Sequence, residues 1–408
     1  MIIWIVVAAF AVVLIGAELL ARWWIRQRTR YHVWPPGLRL EVRQHPDIFP
    51  EIEPRVRIDI NADGERGRNV RRDEDGLFRI LVAGGSSVEC YALDQPTSWP
   101  GALEHLLNRG DSLRALRGEG SVRRVHVGNI ARSGVGAAEL DLIFERVLPN
   151  YARLDAIVIM LGASTVYHWL EEGAPPGRPP SVVPELALLA RHPGQPFSWN
   201  PRGSALVELV RRLRQVWLRP VEVKENVGAW LVAGRQMRAQ AQEIRATVPD
   251  PSTVLNHFEH HLRRALLLAT GRAPRVLEVR QPWFEKKYTD EEMGRFWHGG
   301  IGKPWKETVS VYFSLEVINR LLSQIDARVV AVAEELGLEH LNLRPVLNQG
   351  LRHYYDHDHF TPEGAAVAAQ TIAAAFTAWG YAVGPMPSAE SSVRRVTQPR
   401  IPLAARLA

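Results

Sequence analysis

One cysteine, Cys90, is the whole thiol content of the chain, so no disulfide can form within it and the residue says nothing about redox compartment. A gathered basic face is missing as well. The 50 Lys and Arg set against 44 Asp and Glu leave a formal charge of +6, spread along 408 residues. Nucleic-acid binding wants a concentrated stripe of cations and is not expected. Glycine-rich phosphate fingerprints are absent: "GGSSVEC" (84–90) offers neither G-x-G-x-x-G nor a lysine followed by Ser or Thr. There is no internal repeat. "HFEHH" (257–261) sets His257 and His261 four apart, a spacing compatible with metal, but it lacks the His-Glu-x-x-His order, and a solvated helix face is the expectation.

Of what is present, the bulk composition of 46% hydrophobic and 23% charged is ordinary for a globular protein longer than one mean-sized domain. The first long apolar run is not ordinary. Residues 2–21, "IIWIVVAAFAVVLIGAELLA", have the length needed to cross a bilayer and are interrupted only by Glu18. Trp23 and Trp24 follow as interfacial aromatics, then Arg26, Arg28 and Arg30. A cleaved signal would carry positive charge in front and a small-residue site behind, so the reading is an uncleaved single-pass anchor. Positive charge after the span favours a cytoplasmic body by the positive-inside rule.

Beyond the anchor and its basic flank (1–30) lies a proline-punctuated lead-in (31–77), expected to be irregular or β-rich. "FRILVA" (78–83), "VHVGN" (125–129), "AIVIML" (156–161), "RVLEVR" (275–280) and "EHLNL" (339–343) then read as buried strands. Helical patterns at 97–109, 137–147 and 314–336 lie between several of them. The alternation predicts a parallel sheet with helices on both faces, whose ligands bind beyond the carboxyl ends of the strands. Two core parts, 78–172 and 271–383, flank an insertion at 173–270. It opens with a proline-rich loop, continues with helices at about 203–219, 228–247 and 253–269, and is expected to cap the carboxyl edge of the sheet. The tail, 384–408, has no apolar period and is expected to be disordered.

Two places carry chemistry. At 79–94, "RILVAGGSSVECYALD", a strand ends on two glycines and leaves Ser86 exposed at its carboxyl end, a place that suits an anion or a developing oxyanion. At 354–376, "YYDHDHFTPEGAAVAAQTIAAAF" sets Asp356 and His359 three apart, followed by Thr361 as a helix cap and Pro362 at the first helical position. A serine hydroxyl stays protonated at neutral pH and needs a base, and that base needs a carboxylate to fix its tautomer. Together the two segments describe a Ser-His-Asp arrangement.

With these motifs the chain resembles the SGNH/GDSL hydrolase superfamily. "ILVAGGSSVE" resembles its nucleophile block, with Ser86 as nucleophile and Gly85 where Asp is usual. "NIARSGVGAAE" (129–139) resembles the glycine block, in which Gly134 donates a backbone N–H to the oxyanion hole. "IVIMLGASTVYHW" (157–169) resembles the third block, with Ser164 in place of the expected Asn. "DHDH" (356–359) resembles the last, with Asp356 orienting His359. "INADGERGR" (60–68) resembles the lead-in of membrane-anchored members. The resemblance implies a flavodoxin-like three-layer α/β sandwich with a parallel five-stranded sheet, plus the helical insertion and the transmembrane helix. It also implies an oxyanion hole of Ser86, Gly134 and Ser164, and acyl transfer through an acyl-serine to water or to a sugar hydroxyl. No metal or organic cofactor is implied.

The expected substrate is a small-molecule or glycan ester, and the membrane partner is met through the N-terminal helix. Anchored relatives set the body outside the cytoplasmic membrane of a bacterial-type envelope, against the charge bias; oligomeric state is left open. Ser164 keeps further alternatives open: a slower enzyme, another donor such as Thr165 or Asn129, or lost catalysis in a tethered module that binds an acylated glycan or a biosynthetic partner. Asp358 is the second candidate to orient His359. Glu89, Cys90, His353, His357, Trp283, Trp297 and Trp305 read as packing or loop polarity, with stacking on sugar rings open to some of the tryptophans.

Overall fold

The computed structural model describes residues 2–28, 30–71, 74–117, 122–189, 203–218 and 220–382. The 384–408 tail expected to be disordered, and residues 190–202 of the proline-rich loop, lie outside the described residues. The first elements are α1 (Ile2–Arg28), β1 (Arg39–Gln44), β2 (Arg55–Asp59), β3 (Leu77–Gly84), the single turn α2 (Ser86–Glu89), α3 (Trp99–Leu107) and α4 (Gly110–Arg117). Then come β4 (Arg124–Asn129), α5 (Ala137–Val147), β5 (Ala156–Met160), α6 (Ala163–Glu171), the turn α7 (Glu185–Leu188) and α8 (Ala205–Leu218). β6 (Val221–Val227), α9 (Ala229–Ala239), β7 (Glu243–Arg245), α10 (Ser252–Thr270) and β8 (Val276–Arg280) follow. The chain closes with the turn α11 (Asp290–Met293), β9 (Val311–Phe313), α12 (Leu315–Glu335), β10 (Glu339–Asn342) and α13 (Pro362–Ala382).

Five strands form the main sheet in the order β10-β8-β5-β3-β4, with every pairing parallel. β3 and β5 are buried along their whole length, as strands covered on both faces must be. α5, α10 and α12 pack as one group and α3, α4 and α13 as another, which makes a three-layer α/β sandwich of flavodoxin-like strand order. β3 has β4 on one side and β5 on the other. Its carboxyl end is therefore the topological switch point, where loops leaving neighbouring strands diverge and open a crevice.

Three boundaries differ from the sequence reading. α10, assigned there to the 173–270 insertion, packs on α5 and α12 and is a layer of the sandwich. Val254, Leu255, Phe258, Leu262, Ala265, Leu266 and Ala269 give it a buried stripe at helical spacing, so it is the crossover helix of the sheet. The helix expected over 228–247 stops at Ala239, because Glu243–Arg245 pairs in parallel with β9 and backbone pairing overrides local helical preference. The lead-in and the insertion are also joined. β1 pairs antiparallel with β2 and parallel with β6, and this small sheet closes its own core of Leu40, Val42, Val56, Ile58 and Ile60.

α1 contains a span, Ile2–Ile25, of mean hydropathy 2.6 with none of its most apolar stretch buried by the protein. Among the described residues it is the one helix long and apolar enough to cross a membrane.

Candidate active site

Why the opening strand ends on glycines is answered by what lies against it. Gly84 has φ +156°, and a β-carbon there would sit 2.1 Å from the Met160 carbonyl oxygen and 2.7 Å from Val88 Cγ2. Only glycine lets the chain leave the sheet this close to β5. Gly85 then caps α2, its carbonyl accepting the N–H groups of Val88 and Glu89 at 3.1 and 3.0 Å. Ser86 is the first helical residue, so its own N–H lies outside the helical ladder.

The turn is braced from below by the "INADGERGR" segment. Buried Arg66 donates to the carbonyls of Glu89 (2.7 Å), Cys90 (3.0 Å) and Leu93 (2.6 Å), at the end of the one-turn helix and in the turn that follows it. Asn61 and Glu65 of the same segment hold one another at 2.7 Å, and Glu65 meets Arg79 and His126 at 2.9 and 3.0 Å. Cys90 ends the turn at φ 50°, and burial pushes its thiol up to about 12, which leaves it inert.

The far segment comes to the same point. Thr361 caps α13 by accepting from Gly364 N–H at 3.1 Å, while its hydroxyl donates to the Arg352 carbonyl at 2.7 Å. In the loop so fixed, Asp356 lies 2.9 and 2.8 Å from His359 Nδ1 through its two oxygens. His359 Nε2 lies 2.7 Å from Ser86 Oγ. Asp358 is farther, at 3.4 Å from Nδ1, and its other oxygen accepts from Gln281. The structure thus brings Ser86, His359 and Asp356 into one hydrogen-bonded series across 273 residues of sequence separation.

Electrostatics separate the two acids. Burial raises the Asp356 carboxyl, but His359, His298 and a bond from the Trp297 indole (Nε1 to Oδ2, 2.9 Å) outweigh it and hold the group well below the usual carboxylate range. Burial pushes Asp358 up to about 7. For His359 burial favours the neutral ring, yet the carboxylates of Asp356 and Asp358 prevail and raise it to about 9. His298, buried and driven well below its ordinary value by desolvation, lies roughly parallel to His359 at 5.7 Å, and the Tyr355 ring is also parallel to it at 5.5 Å.

Ser86, Gly134 and Ser164 line one cavity of about 600 Å³ together with His359. Gly134 belongs to the loop after β4, which is tied down by Glu89: its buried carboxylate takes Ser133 N–H and the Ser133 hydroxyl, the latter at 2.6 Å. A β-carbon on Gly85 would press on Ser164 Oγ at 3.1 Å and on the Val135 carbonyl at 3.2 Å. Gly85 and Ser164, which stand where the resemblance sets Asp and Asn, therefore meet at one point. The alternative donors do not line this cavity. Asn129 donates to the Val88 carbonyl at 2.8 Å and accepts from Ala131 N–H at 2.8 Å, while Thr165 accepts from Ala137 N–H at 3.3 Å.

Several residues of the site were not singled out from sequence. Gln281, just past β8, donates to Ser87 Oγ (3.1 Å) and Asp358 (3.0 Å) and accepts from Ala163 N–H (3.0 Å), joining three loops. Its position at the carboxyl end of a predicted strand was the available signal. Arg235 of α9 donates to the Tyr355 carbonyl at 3.0 Å and to the Ile48 carbonyl at 2.6 Å, so the insertion is built into the loop that carries the base. Trp297, expected to pack, both packs and donates to Asp356. Trp230, Trp305 and Tyr91 complete an aromatic side of the cavity, and His168 and Glu171 project from α6; burial raises Glu171 to about 7 and lowers His168.

The other tempting residues are structural. His261 Nδ1 lies 2.7 Å from Asp141, with His257 edge-on to it. His357 is held between Tyr167 (3.2 Å) and Asn319 (2.9 Å), and burial lowers it to about 3. His353 accepts from Asn348 N–H at 2.6 Å, and Trp283 stacks under Arg344 at 4.1 Å. Among the described residues one group, His298, Asp356, Asp358 and His359, offers metal-ligand atoms within 4.8 Å of one another. Its His359 has both ring nitrogens committed, to Asp356 and to Ser86, which is the arrangement of a base rather than of a ligand.

No family model matches the chain, and no curated protein matches it. Among solved structures it is similar to Axe2, an acetylxylan esterase from Geobacillus stearothermophilus, at 15% identity and a TM-score of 0.37, over 75% of this chain and 96% of that one. A second is LAE5, an alpha/beta hydrolase enzyme from the metagenome of Lake Arreo, Spain, at 12% identity and a TM-score of 0.37, over 75% of this chain and 97% of that one.

Proposed function

We propose that this protein is a membrane-anchored serine esterase or O-acyltransferase of SGNH type, acting on ester-linked acyl groups of an envelope glycan. The observation that carries the reading is the 2.7 Å approach of Ser86 Oγ to His359 Nε2, with Asp356 bound to the other ring nitrogen. In the neutral ring Nδ1–H is donated to Asp356, and Nε2 takes the Ser86 proton as Oγ attacks the ester carbonyl. The C–O double bond opens to a tetrahedral oxyanion, held by the backbone N–H groups of Ser86 and Gly134 and by the Ser164 hydroxyl. Collapse breaks the ester bond, the alkoxide leaves with the proton from His359, and an acyl-serine remains. Water then releases the acid, or a sugar hydroxyl accepts the acyl group, with His359 again moving the proton.

The aromatic side of the cavity supports a sugar-bearing substrate, because flat rings stack on pyranose faces. α1 supports attachment to a membrane; the placement of the body on the outer side of a bacterial-type cytoplasmic membrane rests on the family resemblance and runs against the charge that follows the span. Ser164 favours a second reading, a catalytically impaired binding module for an acylated glycan or a biosynthetic partner, since neither Asn129 nor Thr165 lines the cavity where the missing amide would donate.

The two readings separate in detergent-solubilised full-length protein given a chromogenic acetyl ester and a fluorophosphonate probe. Turnover and labelling are expected, both lost in Ser86→Ala. A folded parent that shows neither overturns the enzyme reading in favour of the module.

A further inference from the structure

The acid that interrupts the apolar run, Glu18, has a partner far along the chain. Its carboxylate accepts Ala205 N–H at 2.7 Å, Leu206 N–H at 3.1 Å and the Ser204 hydroxyl at 2.8 Å, so it caps the N-terminus of α8. Arg22, one turn on, donates to Glu18 at 2.8 Å and to the Gly203 carbonyl at 3.0 Å. Ala21 and Ile25 of α1 are buried against Ala205, with Leu206 and Leu209 packed alongside. α8 therefore starts where the hydrocarbon span of α1 ends, since about 20 residues at 1.5 Å each bring a helix from Ile2 to that level.

From that start α8 presents an apolar stripe that the described residues do not cover. Val210, Leu213 and Trp217, at positions i, i+3 and i+7, are 65%, 57% and 80% exposed. The stripe continues the side that Leu206 and Leu209 turn to α1. Across the helix, Glu208 and Arg211 pair at 2.7 Å. A tryptophan and branched aliphatics on one side, an ion pair on the other, and a helix start bonded to the mouth of a membrane span are the features of a helix lying in an interface plane.

We propose that α8 is a second membrane contact, lying in the headgroup region beside the exit of α1 with Val210, Leu213 and Trp217 in the acyl boundary. The occupant of the exposed stripe is the bilayer itself, because the stripe is continuous with the face of a helix that reads as a span. Two membrane contacts in place of one fix the orientation of the body to the surface, where a single helix and a flexible link leave it free to tumble. The proposal rests on the reading of α1 as an anchor and not on the chemistry of the cavity.

The test uses the full chain in phospholipid vesicles, with Cys90→Ser as background and single cysteines at positions 12, 211, 213, 217 and 306, each carrying an environment-sensitive fluorophore. Lipids with a nitroxide near the top of the acyl chain are expected to quench labels at 213 and 217 several-fold more strongly than labels at 211 and 306. Lipids with the nitroxide at the chain end are expected to quench the label at 12. Quenching at 12 without quenching at 213 and 217 overturns the inference and leaves α1 as a span. Absence of quenching at all three positions overturns both. Spin labels at 213 and 217 that broaden one another between chains overturn it in favour of a second copy on the stripe. Circular dichroism of each labelled protein shows that the fold is retained.

Discussion

Ser164 is a short side chain at the place where the resemblance sets an amide, and its hydroxyl lies against Gly85, the residue before Ser86. If that hydroxyl donates to the oxyanion, Ser164→Ala lowers kcat on the order of 10²-fold with KM little changed, because the contact is made only in the transition state. Steady-state kinetics on the acetyl ester check this; an unchanged kcat means that backbone donors alone build the hole. His359 carries the pH dependence. With its pKa raised to about 9, the ring holds a proton at neutral pH and cannot take another from Ser86, so kcat/KM is expected to rise with pH through about 9. Asp358→Asn removes the carboxylate 3.4 Å from Nδ1 and is expected to move that rise to lower pH in the pH–rate profile. A profile that does not move shows Asp358 to be uncharged throughout the range.

At the scale of elements, the site is a meeting of loop ends: α2 after β3, the Ser133–Gly134 loop after β4, the start of α6 after β5, Gln281 after β8 and the base loop before α13. Each strand end was legible in sequence, because an apolar run stopping on glycine or polar residues marks where a buried strand reaches the surface. What ties the ends together was not. Arg66 acts through three carbonyls that any residue at 89, 90 and 93 would supply, so no side-chain pattern announces it. Arg66→Lys keeps the charge but loses the fork, leaving buried acceptors unmatched, and is expected to cost about 3 kcal/mol of stability. Chemical denaturation followed by circular dichroism reads that loss; a midpoint equal to the parent's would mean the α2 turn needs no such brace.

For the whole molecule, charge buried at the edge strand β4 links stability to pH. His126 sits between Glu65 (3.0 Å) and Glu104 (3.3 Å); burial favours its neutral form, but the two carboxylates prevail and raise it from 6.5 to about 9. A group whose pKa is raised on folding contributes stability that is complete below the unfolded value and is lost as pH climbs through the folded one. Thermal midpoints are therefore expected to fall between pH 6.5 and 9, and to fall less steeply in His126→Gln. His359 shifts in the same direction, so activity and stability are expected to run oppositely across this range. Parallel slopes in parent and variant would remove His126 from the account.

The sequence by itself placed the five strands of the main sheet with helices between them and the apolar span, and named Ser86 and His359 as a candidate pair, because periodicity and short-range spacing are properties of local chain geometry. It misplaced α10 and the end of α9, since a crossover helix and a helix of an insertion carry the same amphipathic pattern until a partner face is known. Only the tertiary structure decided that Asp356 rather than Asp358 holds the ring, that Trp297 and Gln281 serve the site, and that Glu18 caps α8. Those contacts join residues from 59 to 194 positions apart wherever they leave their own loop, and what fixes them is the packing of layers, which local sequence does not encode.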